Sequence, residues 1–114
     1  MAKIDIGAEF VTVSLSAAEK LEALHGNVTV PRAAIVAVRV VPDGMAELRG
    51  LRTGTGIPGV LVIGTLHAPG FVTFAVCHAR RPAIVIDLTG AQYDRLVITR
   101  EDAEFIAASL TTGG

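Results

Sequence analysis

The stretch from residue 53 to residue 79 contains no Lys, Arg, Asp or Glu, and this feature most limits what the chain can fold into. A membrane-spanning helix needs about 20 predominantly apolar residues in succession. A proline-glycine turn at residues 68–70 interrupts the stretch, and His67, His78 and several glycines make both halves unsuitable for such a helix. Two buried strands joined by a turn, at residues 60–67 and 71–78, explain the stretch instead.

The rest of the chain repeats this pattern of short apolar runs between turn signals, which is typical of a β meander. We predict seven strands, at residues 4–15, 27–30, 33–41, 60–67, 71–78, 83–88 and 94–98. Residues 45–58 carry no clear pattern. Because parallel strands need crossovers of about a dozen residues, the short links between consecutive strands predict antiparallel pairing.

The first predicted strand changes phase within its length. Ile4 and Ile6 are apolar at even positions, whereas Val11 and Val13 are apolar at odd ones. Side chains alternate between the two faces of a strand, so the switch predicts a β-bulge or sharp bend near Phe10 and Val11.

A short helix is predicted between the first two strands, at residues 17–24. Ser16 and Glu19 have the spacing of a capping box, which marks the start of a helix. The helix ends at Gly26. Its expected buried stripe consists of Ala17, Leu21 and Leu24.

An amphipathic helix is predicted for residues 99–111, with Thr99 as its N-cap and acidic residues in its first turn. Its apolar positions recur at helical spacing and form one stripe: Ala103, Ile106, Ala107 and Leu110. Phe105 flanks the stripe, and Gly113-Gly114 ends the helix. We expect the helix to close one end of a single domain that spans residues 1–114.

The order of these elements resembles that of the bacterial pleckstrin-homology-like (PH-like) domains, in particular small actinobacterial proteins of that kind. The segments that carry the resemblance are NVTVP (27–31), AIVAV (34–38), LRGLRTGTGIPG (48–59) and YDRLVI (93–98). The resemblance covers nearly the whole chain. It implies a mainly β (α+β) fold, a PH-like barrel of seven antiparallel strands in two packed sheets. A short helix would follow the first strand, and the C-terminal helix would close one end.

Phosphoinositide binding is not expected from this resemblance. In relatives that bind these lipids, basic residues cluster in the connection between the first two strands. Here Lys20 is the only Lys or Arg between residues 16 and 26, and two glutamates accompany it.

Charge and cysteine content narrow the function classes. Ten basic and eleven acidic residues are spread along the chain, so we expect no strong non-specific affinity for nucleic acid. Cys77 is the only cysteine, so it cannot pair within the chain, and its apolar neighbours predict a buried thiol. The first residues contain acids and no apolar core of a signal peptide, which predicts a cytoplasmic protein without an integral membrane segment.

A glycine-rich segment at residues 54–59 spells the pattern G-x-G-x-x-G with Gly54, Gly56 and Gly59. The dinucleotide-binding fingerprint requires a helix after the glycines and backbone N–H groups aimed at the phosphates. Pro58 lacks an N–H, and a strand-forming sequence follows it. We therefore exclude a Rossmann-type site.

Two interpretations of this segment remain. Successive glycine N–H groups in a loop can form a modest anion-binding nest, with Arg49 and Arg52 just upstream. Alternatively, the glycines allow a close approach of the chain into the next strand, and both arginines are solvated or paired with Glu47.

The residues indicate neither a metal site nor a catalytic centre. His67 and His78 lie at opposite ends of one predicted hairpin, too far apart to share a zinc ion with ligands at about 2.3 Å. His25 follows the short helix and is expected to interact with the negative end of its dipole. Asp87 is expected on the solvent face of its strand.

We therefore expect a non-enzymatic binding or scaffold module that recognises a protein partner or self-associates, through a sheet edge open to strand addition. The alternative is a small-molecule or anion-binding domain. That site would consist of Arg49, Arg52, Gly54, Gly56 and Gly59. No cofactor is expected.

Overall fold

The computed structural model describes residues 2–112. Within this range, a three-stranded sheet consists of β1 (Lys3–Ile6), β2 (Phe10–Ser14) and β3 (Val28–Pro31), in that order. A six-stranded sheet contains β4 (Ile35–Val41), β5 (Leu51–Ile57), β6 (Leu61–Ala68), β7 (Phe71–His78), β8 (Ala83–Leu88) and β9 (Arg95–Thr99). Its strand order is β4-β8-β9-β7-β6-β5. The helices are α1 (Ala17–Ala23) and α2 (Ala103–Thr112).

The main core lies between the two sheets. Valines of β2 and β3 pack against one face of the six-stranded sheet, which contributes Phe74, Ile84 and Leu96 among others. The opposite face of that sheet is also buried around Cys77 and Val97, beneath the 3-10 turn Gly44–Glu47 and its neighbours. Strands covered on both faces have nearly continuous apolar sequences, which explains the uncharged stretch of β6 and β7.

The mainly β prediction with two helices and two sheets is confirmed, but the predicted seven strands are wrong in number. The described residues form nine strands. One addition is β5, which lies in the segment that had no clear pattern. The other arises because the first predicted strand is two strands, β1 and β2. The predicted barrel is not found, since the two sheets do not close on each other.

The phase switch near Phe10 reflects a hairpin turn between two strands, and not a β-bulge or sharp bend within one continuous strand as predicted. The register of β1 and β2 pairs Ile4 with Val13 and Ile6 with Val11. The turn is closed by the Gly7 N–H, which donates to the Phe10 carbonyl at 2.8 Å. Because paired residues point to the same face, both apolar sets face the core.

Consecutive strands pair antiparallel as predicted in β6–β7 and β8–β9, but β7 and β8 do not pair. The all-antiparallel arrangement that the resemblance implies is wrong for one pair. β7 and β9 run parallel, and β9 separates β7 from β8. Asp94 holds this arrangement, since its backbone N–H donates to the Val72 carbonyl and its carboxylate accepts the Val72 N–H, both at 2.8 Å.

The capping box of α1 is confirmed, but its predicted buried stripe is wrong. The Ser16 hydroxyl accepts the Glu19 N–H at 3.2 Å, and Glu19 Oε1 accepts the Ser16 N–H at 2.9 Å. Ala17, Leu21 and Leu24 are exposed, whereas Glu19 and Ala23 are buried. The backbone carbonyl oxygen of Ala23 lies 3.3 Å from the position of a Cβ on Gly54, so the end of α1 packs closely on β5.

The C-terminal helix begins later than predicted. Thr99 belongs to β9, and its buried hydroxyl accepts the His78 N–H at 2.8 Å, so it does not act as the N-cap. The predicted stripe does face the core: Ala103 and Ile106 are buried, Ala107 and Leu110 are half-buried. The helix packs along β4 and β8. Its predicted end at Gly113-Gly114 lies outside the described residues.

Candidate functional site

The free edge of the six-stranded sheet at β5 is the first candidate site. β5 pairs only with β6 in the strand order, so one side of its backbone has no neighbouring strand. Its register with β6 places Leu51, Thr53, Thr55 and Ile57 on one face. Leu51 is 81% exposed and Ile57 is 48% exposed. Two aliphatic side chains therefore stand in solvent at the two ends of an open strand.

Glycines bring β5 and β6 close together. Gly54 lies opposite Gly64 in the register. A Cβ on Gly54 would collide with the Ile63 carbonyl oxygen, and a Cβ on Gly64 would collide with the Thr53 carbonyl oxygen. Both residues have positive φ, 127° and 151°, which glycine tolerates best. This geometry matches the second interpretation of the glycine-rich segment, a close approach of two strands.

The predicted anion-binding residues are spread over this edge. Gly54 and Gly56 belong to β5 and are not part of a loop, contrary to expectation; Gly59 lies in the turn to β6 with φ 73°. The Arg52 guanidinium covers Gly56, where its carbon lies 2.5 Å from the position of a Cβ. Arg49 is exposed. No helix follows Gly59, since β6 begins at Leu61. Anion binding by these residues stays a prediction.

Glu47 of the 3-10 turn forms an ion pair with Arg39 of β4. Of the two alternatives for Arg49 and Arg52, solvation or an ion pair with Glu47, the exposed position of both arginines matches solvation. Asp87 likewise has a partner, since Arg95 Nε donates to its carboxylate at 2.6 Å.

The other three sheet edges of residues 2–112 are each protected. β1 has only four residues, including Lys3 and Asp5. β3 is equally short and contains Pro31, which has no N–H to offer. β4 has an irregular register between Ile35 and Ala37, and α2 packs along it. Short length, charges, proline, bulges and covering helices are the usual means by which proteins block unwanted strand pairing. β5 has Arg52, and α1 packs against it through the Thr55 hydroxyl, but no strand lies along its free side.

A cavity of about 350 Å³ adjoins this edge, between the end of α1 and the β5–β6–β7 face. Its floor contains Thr65 and Tyr93, both buried. Thr53, His67 and Gln92 form its exposed rim, and His25 lies at its side. No Lys, Arg, Asp or Glu lines it.

A hydrogen bond connects His25, at the side of this cavity, with Tyr93 in its floor. The Tyr93 hydroxyl lies 2.7 Å from His25 Nε2, and His25 Nδ1 lies 2.8 Å from the Gly26 carbonyl oxygen. The His25 ring packs against Phe74 and Tyr93, with ring centroids 5.3 and 6.1 Å apart. The imidazole thus forms hydrogen bonds with Gly26 and Tyr93. Its interaction with the helix dipole stays a prediction.

Burial raises the pKa of the Tyr93 phenol, and a hydrogen bond with Thr65 opposes this rise.

The remaining predicted residues lie apart from these two features. His67 pairs with Val72, and His78 pairs with Leu61 at the other end of the β6–β7 hairpin, as expected. Cys77 is fully buried, which confirms its assignment to the core. Among residues 2–112, no group of three or more His, Cys, Asp or Glu is placed to hold a metal ion. No helix in this range is long and apolar enough to cross a membrane.

Comparisons with protein-family models, curated proteins and solved structures found no match to this chain. The PH-like resemblance therefore stays a prediction.

Proposed function

We propose that this chain is a self-associating binding module in which β5 of one copy pairs with β5 of a second copy. The observation that carries the proposal is the unprotected edge of β5, seven residues long and free of proline. Strand addition at such an edge satisfies backbone hydrogen-bonding groups that otherwise bind only water. Two six-stranded sheets would join into one.

The sequence of β5 is complementary to itself in the antiparallel direction. Alignment about Gly54 uses all seven residues and places Leu51 opposite Ile57, Thr53 opposite Thr55 and Arg52 opposite Gly56. Leu51 of each copy then contacts Ile57 of the other copy, and the two-fold axis produces this apolar contact twice. The two arginines avoid each other, since they stand about four residues or roughly 13 Å apart along the strands.

Exposed leucines of α1 extend the apolar surface beside β5. Leu21 and Leu24 are 76% and 70% exposed. The Thr55 hydroxyl donates to the Glu22 carbonyl at 2.9 Å, which fixes the helix against the strand. Paired strands alone cover little area, and a stable interface needs at least about 1,000 Å² in total. The leucines supply apolar surface for that contact.

Molar mass in solution tests the proposal. Sedimentation equilibrium or light scattering over a wide range of concentrations should show a species of twice 11.8 kDa that dissociates on dilution. A mass that stays at 11.8 kDa up to the highest soluble concentration would overturn self-association.

Substitutions at the strand ends locate the interface. Leu51→Glu or Ile57→Lys should each weaken the dimer, because each buries a charge against an aliphatic side chain. Val36→Glu is the matched control, since Val36 is an exposed aliphatic residue on β4 at the opposite edge of the same sheet. A dimer that the control weakens as much as the two β5 variants do would place the contact elsewhere.

A further inference from the structure

We propose that the cavity between α1 and β5–β6–β7 binds an uncharged aromatic small molecule that carries an N–H or O–H donor, such as a carboxamide or a lactam. This inference does not depend on self-association. It rests on the charge of the lining residues, the direction of the hydrogen bonds in the floor, and the rings in the wall.

The hydrogen bonds of the floor run in one direction. The Gly26 carbonyl can only accept, so His25 Nδ1 carries the proton and Nε2 accepts from the Tyr93 hydroxyl. The Tyr93 hydrogen is therefore used within the protein, and the Tyr93 oxygen keeps lone pairs that can accept from a ligand. An N–H or O–H group of the ligand supplies this donor, and the Thr65 hydroxyl in the same lining can donate or accept.

The absence of Lys, Arg, Asp and Glu from the lining selects an uncharged ligand. A carboxylate or ammonium group in this cavity would lose water without gaining an opposite charge, at a cost of several kcal/mol. A carboxylate would also face the Tyr93 oxygen, whose hydrogen is already bonded to His25. An amide N–H offers the required donor without a charge, while its carbonyl can accept from the rim groups Thr53, His67 or Gln92.

The walls favour a ring. The imidazole of His25, the phenol of Tyr93 and the side chains of Leu24 and Val72 give the cavity flat and aliphatic surfaces. Its volume of about 350 Å³ lies at the small end of ligand-binding sites, which range from about 300 to 1,000 Å³. A one-ring or two-ring compound matches this size.

Four probes that each carry one substituent on a benzene ring separate these requirements. Benzamide is uncharged and has a donor, methyl benzoate is uncharged without one, benzoate is an anion, and benzylammonium is a cation with donors. Titration of each into 15N-labelled protein, followed by NMR, should show benzamide binding most tightly, with shifts at Thr65, Tyr93 and His25. Equal or tighter binding of methyl benzoate, benzoate or benzylammonium would overturn the proposed ligand class, and a lack of shifts at these residues would overturn the site.

Two variants tie binding to the cavity. Thr65→Val keeps the shape but removes the hydroxyl, and should weaken benzamide binding about 3- to 10-fold, the effect of one hydrogen bond. Thr12→Val is the matched control, because Thr12 bonds another threonine on the separate three-stranded sheet at 3.1 Å. Thr53→Leu narrows the exposed rim and should abolish binding. Unchanged affinity in both cavity variants would refute the site.

The dimer variants keep this test separate from the proposed function. Ile57→Lys lies on β5 but not among the lining residues, so it should dissociate the dimer and leave benzamide affinity unchanged. Loss of benzamide binding in this variant would show that the cavity requires the second copy, and would overturn the inference that a single chain binds the ligand.

Discussion

Cys77 shows how strongly a single buried residue in this fold resists ionisation. Its thiol is fully buried and donates to the Val97 carbonyl at 3.4 Å. Burial raises its pKa from 9.0 to about 12, and the charge of Asp43 adds to this rise. Thiolates and not thiols react with alkylating reagents. Two properties therefore protect Cys77 from alkylation: reagents cannot reach the buried sulfur, and the thiol stays protonated in the folded protein.

We predict that Cys77 makes the protein less stable as pH rises above 9. Between pH 9 and about 12 the unfolded chain releases the thiol proton while the folded chain keeps it. The free energy of unfolding should then fall by up to about 1.4 kcal/mol per pH unit from this group. Urea unfolding across this range measures the slope.

Cys77→Ala is the control for this titration, because it removes the group while its other effects are independent of pH. The variant should show a smaller decline above pH 9 than the native chain. Rapid labelling of the native protein by iodoacetamide at pH 8 would contradict the assignment, since the thiol should react only after unfolding.

Residues differ in how well their roles could be predicted from the sequence. Cys77 was predicted correctly because its burial follows from its immediate apolar neighbours. The hydrogen bond between His25 and Tyr93 could not be predicted, because the two residues lie 68 positions apart in the chain. No local pattern contains such a contact, and so the cavity could not be predicted.

At the scale of elements, neighbours and packing decide what local patterns leave open. A bulge and a hairpin both invert the phase of an apolar alternation, and only the pairing of Ile4 with Val13 distinguishes them. β5 has no apolar run because it is an edge strand, and its Gly54 serves the contact with β6. The buried face of α1 is set by what it packs against: Glu19 and Ala23 are buried and the leucines are exposed, which the apolar spacing alone does not indicate.

Helix α2 was predicted more successfully, since its stripe reflects only its own periodicity.

We predict that Ile106→Ala lowers the free energy of unfolding by about 2–5 kcal/mol, because it leaves a cavity in the core. Phe105→Ala, on the adjacent position, should change it by less than about 0.5 kcal/mol, since Phe105 is 73% exposed. Chemical denaturation of both variants measures the contrast. Equal losses would mean that α2 packs by a different face.

At the scale of the whole molecule, burial is uneven around the six-stranded sheet. Its centre is covered on both faces, while its β4 edge carries α2 and its β5 edge has no neighbouring strand. Pairing of β5 with a second copy would leave the assembly with only protected edges. The geometry of the fold thus favours a closed two-fold dimer over open-ended addition, because each copy has one such edge.

A charge swap across the two-fold axis tests this arrangement more strictly than single substitutions. In the variant that combines Leu51→Glu with Ile57→Lys, antiparallel pairing about Gly54 places each introduced carboxylate opposite an ammonium group of the second copy. Opposite charges in facing strand positions contribute about 0.2–1 kcal/mol each. The double variant should therefore dimerise more tightly than either single variant, and its dimer should weaken as salt increases. A parallel alignment, or a contact through other elements, would bring no such pairs together, and the double variant would then be as monomeric as the single ones. Light scattering at low and high salt distinguishes these outcomes, and an equimolar mixture of the two single variants should form the heterodimer.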